Sequence, residues 1–338
     1  MGQSTTDCGI AVLGAGSWGT ALAVVLARNG YRSFLWGHDA ARMARIAHDR
    51  SNDRFLPGIS FPEKLFLRED LPELARECSR FLIAVPSEAF RATVEVVAAH
   101  ARPDAIVATA TKGLEPGSGR LLSEVCGRML GARRHTGVIS GPTFAREVGR
   151  GLPAAMTVAS ADLQTAETIA TWLRNDHLRV YTSHDLVGVQ LGGAVKNVMA
   201  IATGISDGLG LGANARAALI TRGLAEIGRL GKAMGASPET FMGLAGMGDL
   251  VLTCTDDQSR NRRVGLALGR GDALGATLAA LGQVAEGVGT AREVRSLAGR
   301  LGVDMPITEQ VCRVLFEGVA PQDAVAALLR REPKEEKT

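Results

Sequence analysis

Cysteine is sparse and never paired in sequence. The five residues, Cys8, Cys78, Cys126, Cys254 and Cys312, lie far apart with no CxxC among them. That spacing excludes a disulfide framework and a zinc site, and fits buried thiols in a reducing compartment. An excess of one charge is lacking too: 38 Lys and Arg against 35 Asp and Glu leave a net charge of +3. This is too weak and too evenly spread to attract nucleic acid or an anionic membrane. Met1 to Cys8 lacks the basic-then-apolar order of a secretory signal. Its opening, Met1-Gly2-Gln3-Ser4-Thr5-Thr6, fits the loose myristoylation pattern, which a short polar lead-in meets by chance. A clean membrane span is absent as well. The nearest stretch, Leu186 to Ile205, contains Gln190, Lys196 and Asn197. A Lys at the bilayer centre costs about 2.5–3.5 kcal/mol, so this stretch is expected to be a buried helix.

A chain of 338 residues is about twice the usual domain size, and two domains are expected. The first half alternates β-rich apolar runs with helical stretches. Strands are expected at Gly9 to Leu13, Ser33 to Trp36, Arg80 to Val85 and Ala105 to Thr109. Shorter ones are expected at Thr136 to Ile139, Ala155 to Val158 and Leu178 to Tyr181, and a helix at Ser17 to Asn29, stopped by Gly30. Strands alternating with helices imply crossovers and a mostly parallel sheet. From about His184 strands disappear and Ala, Leu and Gly dominate. Gly204 to Gly212, Gly231 to Pro238 and Gly243 to Gly248 are expected to punctuate helices. The expected fold is therefore α/β: a Rossmann-type dinucleotide-binding domain over residues 1–183, then an all-α substrate-binding domain over 184–331 and a frayed polar tail over 332–338.

Gly14-Ala15-Gly16-Ser17-Trp18-Gly19 joins the first strand to the first helix. In that setting the glycines permit a tight bend, close approach of a pyrophosphate, and close packing of helix on strand. The helix start adds free N–H groups and the positive end of a dipole. Cofactor choice turns on the end of the second strand, where an acid would bind the ribose 2′-OH of NAD. Gly37 or His38 holds that place, with Asp39 adjacent. His38, Arg42 and Arg45 could face a 2′-phosphate instead, or both arginines are solvated helix residues. NADP(H) is expected to be accepted, with NAD(H) open.

Only six of the cations are lysines: Lys64, Lys112, Lys196, Lys232, Lys334 and Lys337. A Lys retained in an Arg-rich chain is informative, because burial can strip its proton and cannot strip that of Arg. Lys112 follows a strand's carboxyl end, where open α/β sheets bind ligands. Lys196 sits in a segment apolar nearly all round, expected to be central and buried. Snorkelling to the surface is the alternative, more natural for Lys112 than for Lys196. No histidine lies beyond His184, so an acid/base in the helical half falls to another residue type, with Lys196 the candidate. Farther on, Gly243-Leu244-Ala245-Gly246-Met247-Gly248 leads into Asp249. Ser259 then reads as an N-cap, which puts Arg260 and Asn261 in a first helical turn. A cation is unfavourable there unless an anion binds beside it; an exposed basic helix start is the alternative.

Taken in order, these segments resemble the bacterial NAD(P)-dependent sn-glycerol-3-phosphate dehydrogenases over nearly the whole chain. The motifs are Gly14 to Gly19, Asn52 to Gly58, Ala84-Val85-Pro86-Ser87, Thr111-Lys112-Gly113-Leu114, Ser140 to Ala145, Val195-Lys196-Asn197, Gly246 to Leu250, Ser259-Arg260-Asn261 and Val284-Ala285-Glu286-Gly287. Phe55 stands where the family has Tyr, and His38 where it often has Arg. The resemblance implies that Gly14, Gly16, Ser17, Trp18, Gly19 and His38 contact the cofactor. Lys112, Gly141 and Thr143 would line the substrate pocket, with Lys112 and Ala145 also on the cofactor side. Lys196 would be the catalytic acid/base. Asp249, Ser259, Arg260 and Asn261 would hold glycerol phosphate, Arg260 also reaching the cofactor, while Val284 and Glu286 close over it. It further implies a cytoplasmic homodimer, without metal, that interconverts dihydroxyacetone phosphate and sn-glycerol 3-phosphate for phospholipid synthesis. A β-hydroxyacid or 6-phosphogluconate-type dehydrogenase is the second reading, and a dinucleotide sensor without turnover the third.

Overall fold

The computed structural model describes residues 9–131 and 135–332; Cys8, the Met1–Thr6 pattern and most of the expected tail lie outside them. Its strands are β1 (Ile10–Leu13), β2 (Ser33–Trp36), β3 (Ser51–Asn52), β4 (Leu56–Ser60), β5 (Leu65–Arg68), β6 (Arg80–Ile83), β7 (Ile106–Thr109), β8 (His135–Ser140), β9 (Ala154–Ala159) and β10 (Leu178–Ser183). Eight of them form one sheet in the order β10-β9-β8-β7-β6-β1-β2-β5. β1 and its neighbours are parallel, and β8 and β9 form the single antiparallel pair of that sheet. Between them run α1 (Ser17–Arg28), α2 (Ala40–Asp49), α3 (Leu71–Glu77), α4 (Ser87–His100), α5 (Leu122–Leu130), α6 (Ala145–Arg150) and α7 (Leu163–Leu173). β1, and β6 after Arg80, are apolar without alternation, as strands covered by helices on both faces must be.

Short edge elements depart from the sequence expectation. The hairpin β3–β4 and the edge strand β5 lie where no strand was expected between Trp36 and Arg80. Strands of two to five residues, β3 and β4 in a sheet of their own and β5 at the edge of the large one, carry too little alternation to stand out, and the Pro57-Gly58 pair reads locally as a turn.

The helical half contains α8 (Leu186–Gly208), α9 (Gly212–Ala233), α10 (Pro238–Met242), a π-helical turn at Leu244–Gly248, α11 (Asp249–Thr255), α12 (Arg260–Gly269), α13 (Leu274–Leu281), α14 (Glu286–Leu301), α15 (Pro306–Phe316) and α16 (Pro321–Leu329). α8 is its axle. It is long and apolar enough to cross a membrane, yet 89% of its most apolar window is buried in the protein. Two glycines expected to break helices instead sit inside them. Gly204 belongs to α8 and Gly231 to α9. Gly204 and Gly208 of α8 meet Gly265 and Gly269 of α12, and a Cβ on any of the four would collide with the facing backbone. The glycines are there for a close helix crossing, which sequence spacing alone does not separate from a helix stop. That crossing seats the start of α12 beside the middle of α8.

Candidate active site

The strand order reverses between β1 and its neighbours β2 and β6, and ligands of open α/β sheets bind at such a point, beyond the carboxyl ends. Gly14 leaves β1 with φ +122°. A Cβ there would lie 2.7 Å from the Ala84 backbone, and one on Gly19 would strike the Gly14 carbonyl. A Cβ on Gly16 would meet nothing within 4 Å. Packing therefore explains Gly14 and Gly19 but not Gly16, whose missing side chain leaves room for a ligand. α1 starts at this point with no side-chain cap, and the buried Trp18 Nε1 has no protein acceptor. These features fit a dinucleotide pyrophosphate at a helix start.

At the adenosine end, Gly37 is buried and His38 exposed. The adjacent Asp39 caps α2, accepting the Arg42 N–H at 3.0 Å. That bond, and the Coulomb pull of Arg42, Arg45 and His38, hold the Asp39 carboxyl below its usual range. Arg42 lies over the Phe55 ring, 4.9 Å from its centroid, and Arg54 lies 5.4 Å from the same centroid.

Three ionisable side chains meet beyond β7 and β8. Lys112 Nζ donates to Asp249 Oδ2 at 2.9 Å and reaches the Gly141 carbonyl at 3.4 Å. Lys196 Nζ donates to Asp249 Oδ1, and to Thr253 Oγ1 at 2.9 Å. Asp249 is 1% exposed and Lys196 5%. Lys112 does not snorkel; its side chain is 15% exposed and turned inward. Two lysines thus share one desolvated aspartate. Burial pushes the Lys196 pKa down to about 7; attraction to Asp249 opposes the shift and repulsion from Lys112 adds to it. The local backbone makes this geometry possible. α8 presses Gly192 against the Ala245 carbonyl and Gly193 against Ser140, which brings Lys196 up to the sheet edge. Gly141 turns with φ +150°, and a Cβ there would lie 2.7 Å from the Met156 Cα. Thr143 Oγ1 donates to the Gly141 carbonyl at 3.1 Å.

A second group forms around the start of α12. Ser259 caps the helix, accepting the Arg262 N–H at 3.2 Å. Arg262 is tied to Asp207, and to Asp257 at 3.0 Å. Arg260 has no ion pair among the described residues and holds only Gln283 Oε1, at 3.4 Å. Asn261 is buried and accepts the Gly287 N–H at 2.9 Å, joining α12 to α14. Gln283 Oε1 also accepts Ser17 Oγ, and Gln283 Nε2 donates to the Arg54 carbonyl, each at 3.4 Å. It therefore spans from the Gly-rich turn to α12. Val284 is exposed, and Glu286 begins α14. Burial raises the Glu286 pKa to about 7, opposed by Arg260 and reinforced by Glu88.

Of the residues expected at the site, Lys112, Gly141, Lys196 and Asp249 are joined directly, with Thr143 one bond behind. Ser17 and Arg260 meet through Gln283. Gly14, Gly16, Trp18 and Gly19 share the turn, and Ala145 opens α6. His38 and Val284 make no side-chain hydrogen bond or ion pair with these groups among the described residues. Two members were missed in the sequence. Thr253 is one helical turn beyond Asp249, and that i+4 spacing was the available signal. Gln283 offered none, since its partners come from three distant segments.

Family models for the NAD-dependent glycerol-3-phosphate dehydrogenase N-terminus and C-terminus match residues 9–166 and 185–326. A glycerol-3-phosphate dehydrogenase [NAD(P)+] of Thioalkalivibrio sulfidiphilus is 57% identical over 327 residues, 97% of this chain and 98% of that one. The Pasteurella multocida enzyme of the same name is 51% identical over 99% of this chain and 100% of its own. The crystal structure of glycerol-3-phosphate dehydrogenase from Coxiella burnetii superposes with a TM-score of 0.93 at 48% identity, covering 95% and 98% of the two chains. With both halves matched and the relatives covered almost end to end, the chain belongs to the NAD-dependent glycerol-3-phosphate dehydrogenase family.

Proposed function

We propose that Lys196, paired with Asp249, is the proton donor and acceptor in the interconversion of dihydroxyacetone phosphate and sn-glycerol 3-phosphate. The observation that carries this reading is the buried Lys196–Asp249–Lys112 triplet at the sheet edge beside the Gly-rich turn. A bound nicotinamide supplies or takes up the hydride at the substrate carbon. As the ketone is reduced, charge grows on its oxygen; the Lys196 ammonium stabilises that charge and delivers the proton. Asp249 keeps Lys196 oriented and offsets the repulsion between the two lysines. Lys112, Gly141 and Thr143 line the pocket.

Arg260, with Ser259 and Asn261, holds the substrate phosphate at the start of α12, where the arginine has no ion pair among the described residues. Arg260 and Glu286 also reach the cofactor, as do Lys112, Ala145, His38 and Val284. Asp39 is committed to capping α2, which supports acceptance of NADP(H) as well as NAD(H). Residues 1–183 act as the dinucleotide-binding domain and 184–331 as the substrate domain. The family resemblance supports a cytoplasmic homodimer feeding phospholipid synthesis, and burial of α8 supports a role without membrane insertion.

The test compares dihydroxyacetone phosphate with unphosphorylated dihydroxyacetone, following nicotinamide oxidation. A charge-assisted hydrogen bond to a desolvated phosphate is worth about 1.5–3 kcal/mol. Arg260→Ala should therefore lower kcat/KM for the phosphate ester by roughly 10- to 150-fold and change the poor rate with dihydroxyacetone little. The cofactor Kd is measured in the same variant. Equal large losses with both substrates would assign Arg260 to the cofactor or the fold.

A further inference from the structure

The loop that follows Lys112 is built more firmly than a connection between β7 and α5 requires. Before it, Thr111 Oγ1 donates to the Val85 carbonyl at 2.7 Å, tying the chain to the sheet. After it, Leu114 and Leu121 are each 1% exposed and belong to the core of the helical half, not to that of the sheet. The two leucines pair as an antiparallel bridge, so the loop closes on itself. Gly113, at φ +153°, lies between Ser87 of α4 and Thr290 of α14; a Cβ there would be 3.3 Å from one and 3.4 Å from the other. α14 grips the tip: Glu293 Oε1 accepts the Gly117 N–H at 2.9 Å, and Arg300 Nη2 donates to the Ser118 carbonyl at 2.9 Å.

At the centre of this loop is a buried carboxylate. Glu115 takes Arg91 Nε from α4 at 2.8 Å, a second contact from Arg91 Nη2, the Ser118 hydroxyl, and Arg120 at 4.0 Å. Its side chain is 7% exposed while Arg91 is 49% exposed, so the carboxylate is inside and its cation forms the lid. The charged groups facing the loop are Arg91 and Arg120 on the carboxylate and Glu293 and Arg300 on the backbone. None of them touches the triplet at Asp249.

We infer that Glu115 is a positioning residue for Lys112: it locks the Gly113–Leu121 loop between the sheet and the helical half and so fixes where the Lys112 ammonium meets Asp249. The inference rests on Lys112 serving the substrate pocket, as proposed above. Lys112 is anchored through Thr111 on one side and Leu114 on the other. The closed loop holds these two anchors on either side of Lys112. Loss of the Glu115 charge leaves Arg91 without its partner and frees the loop from α4.

The test is a double-mutant cycle with Glu115→Gln and Lys112→Met, read as kcat/KM for dihydroxyacetone phosphate. Glu115→Gln should cost roughly tenfold with Lys112 present and less than about twofold in the Lys112→Met background. A second reading is the pH at which reduction fails. Repulsion from Lys112 helps hold the Lys196 pKa down, so a displaced Lys112 should move that limb upward, a shift that loss of stability alone does not produce. An equal loss in both backgrounds, or an unmoved limb, would overturn the positioning role. If Lys112→Met itself loses nothing, the assignment of Lys112 falls and Glu115 falls with it. Should Glu115→Gln not fold, Arg91→Gln removes the same pair from its exposed side and completes the same cycle.

Discussion

Burial of Lys196 in the middle of α8 works against its charge, and Asp249 works for it. Burial wins in part, leaving a pKa near 7 where the usual value is 10.5. Two consequences have opposite signs. For folding, the unfolded chain holds the proton between about 7 and 10.5 while the native state does not. The cost is therefore fully present below about 7 and is relieved as pH rises toward 10.5. For catalysis, reduction needs the ammonium and oxidation the free amine. We predict that kcat/KM for dihydroxyacetone phosphate falls above about pH 7, and that kcat/KM for glycerol 3-phosphate falls below it. Initial rates in both directions across pH 5.5–9 check this. Profiles that bend the same way in both directions would take the proton away from Lys196.

At the scale of the element, α8 and α12 act as a unit because glycine lets their backbones touch. Gly265 faces the Ile201 carbonyl, and a Cβ on it would be 2.8 Å from the Ile205 nitrogen. An Ala in a helix interior gains up to about 1 kcal/mol over Gly. A backbone collision that nothing can rotate away costs about 1–3 kcal/mol or more. The collision should win, so Gly265→Ala is expected to lower stability by about 2 kcal/mol and to push α12 outward. α12 carries Arg260 and Asn261, so KM for the phosphate ester should rise while cofactor affinity stays near wild type. Thermal denaturation and substrate titration test the two effects separately. A stabilised variant with unchanged KM would mean that the crossing is looser than described.

Across the whole molecule, local chemistry was legible in the sequence and long-range assembly was not. The Gly-rich turn, the buried helix around Lys196 and the N-cap at Ser259 each follow from a few neighbouring residues. The sharing of Asp249 by two lysines does not. Its partners are 53 and 137 residues away along the chain, and only packing of α8 against the sheet edge unites them. Gln283 escaped for the same reason. The strands β3 to β5 escaped because such short pieces carry little periodicity. Gly204 inside α8 and Gly231 inside α9 resembled stops because helix breaking and close helix packing leave the same residue in the sequence.

The central claim is that Lys196 transfers the proton, and Lys196→Met tests it most directly. Asp249 has a second partner in Lys112, at 2.9 Å, so the buried carboxylate should not be stranded in that variant and the fold should survive. Turnover of dihydroxyacetone phosphate should fall by roughly 10²–10⁴-fold, with the cofactor Kd within about twofold of wild type. Near-normal turnover with an intact cofactor site would contradict the account.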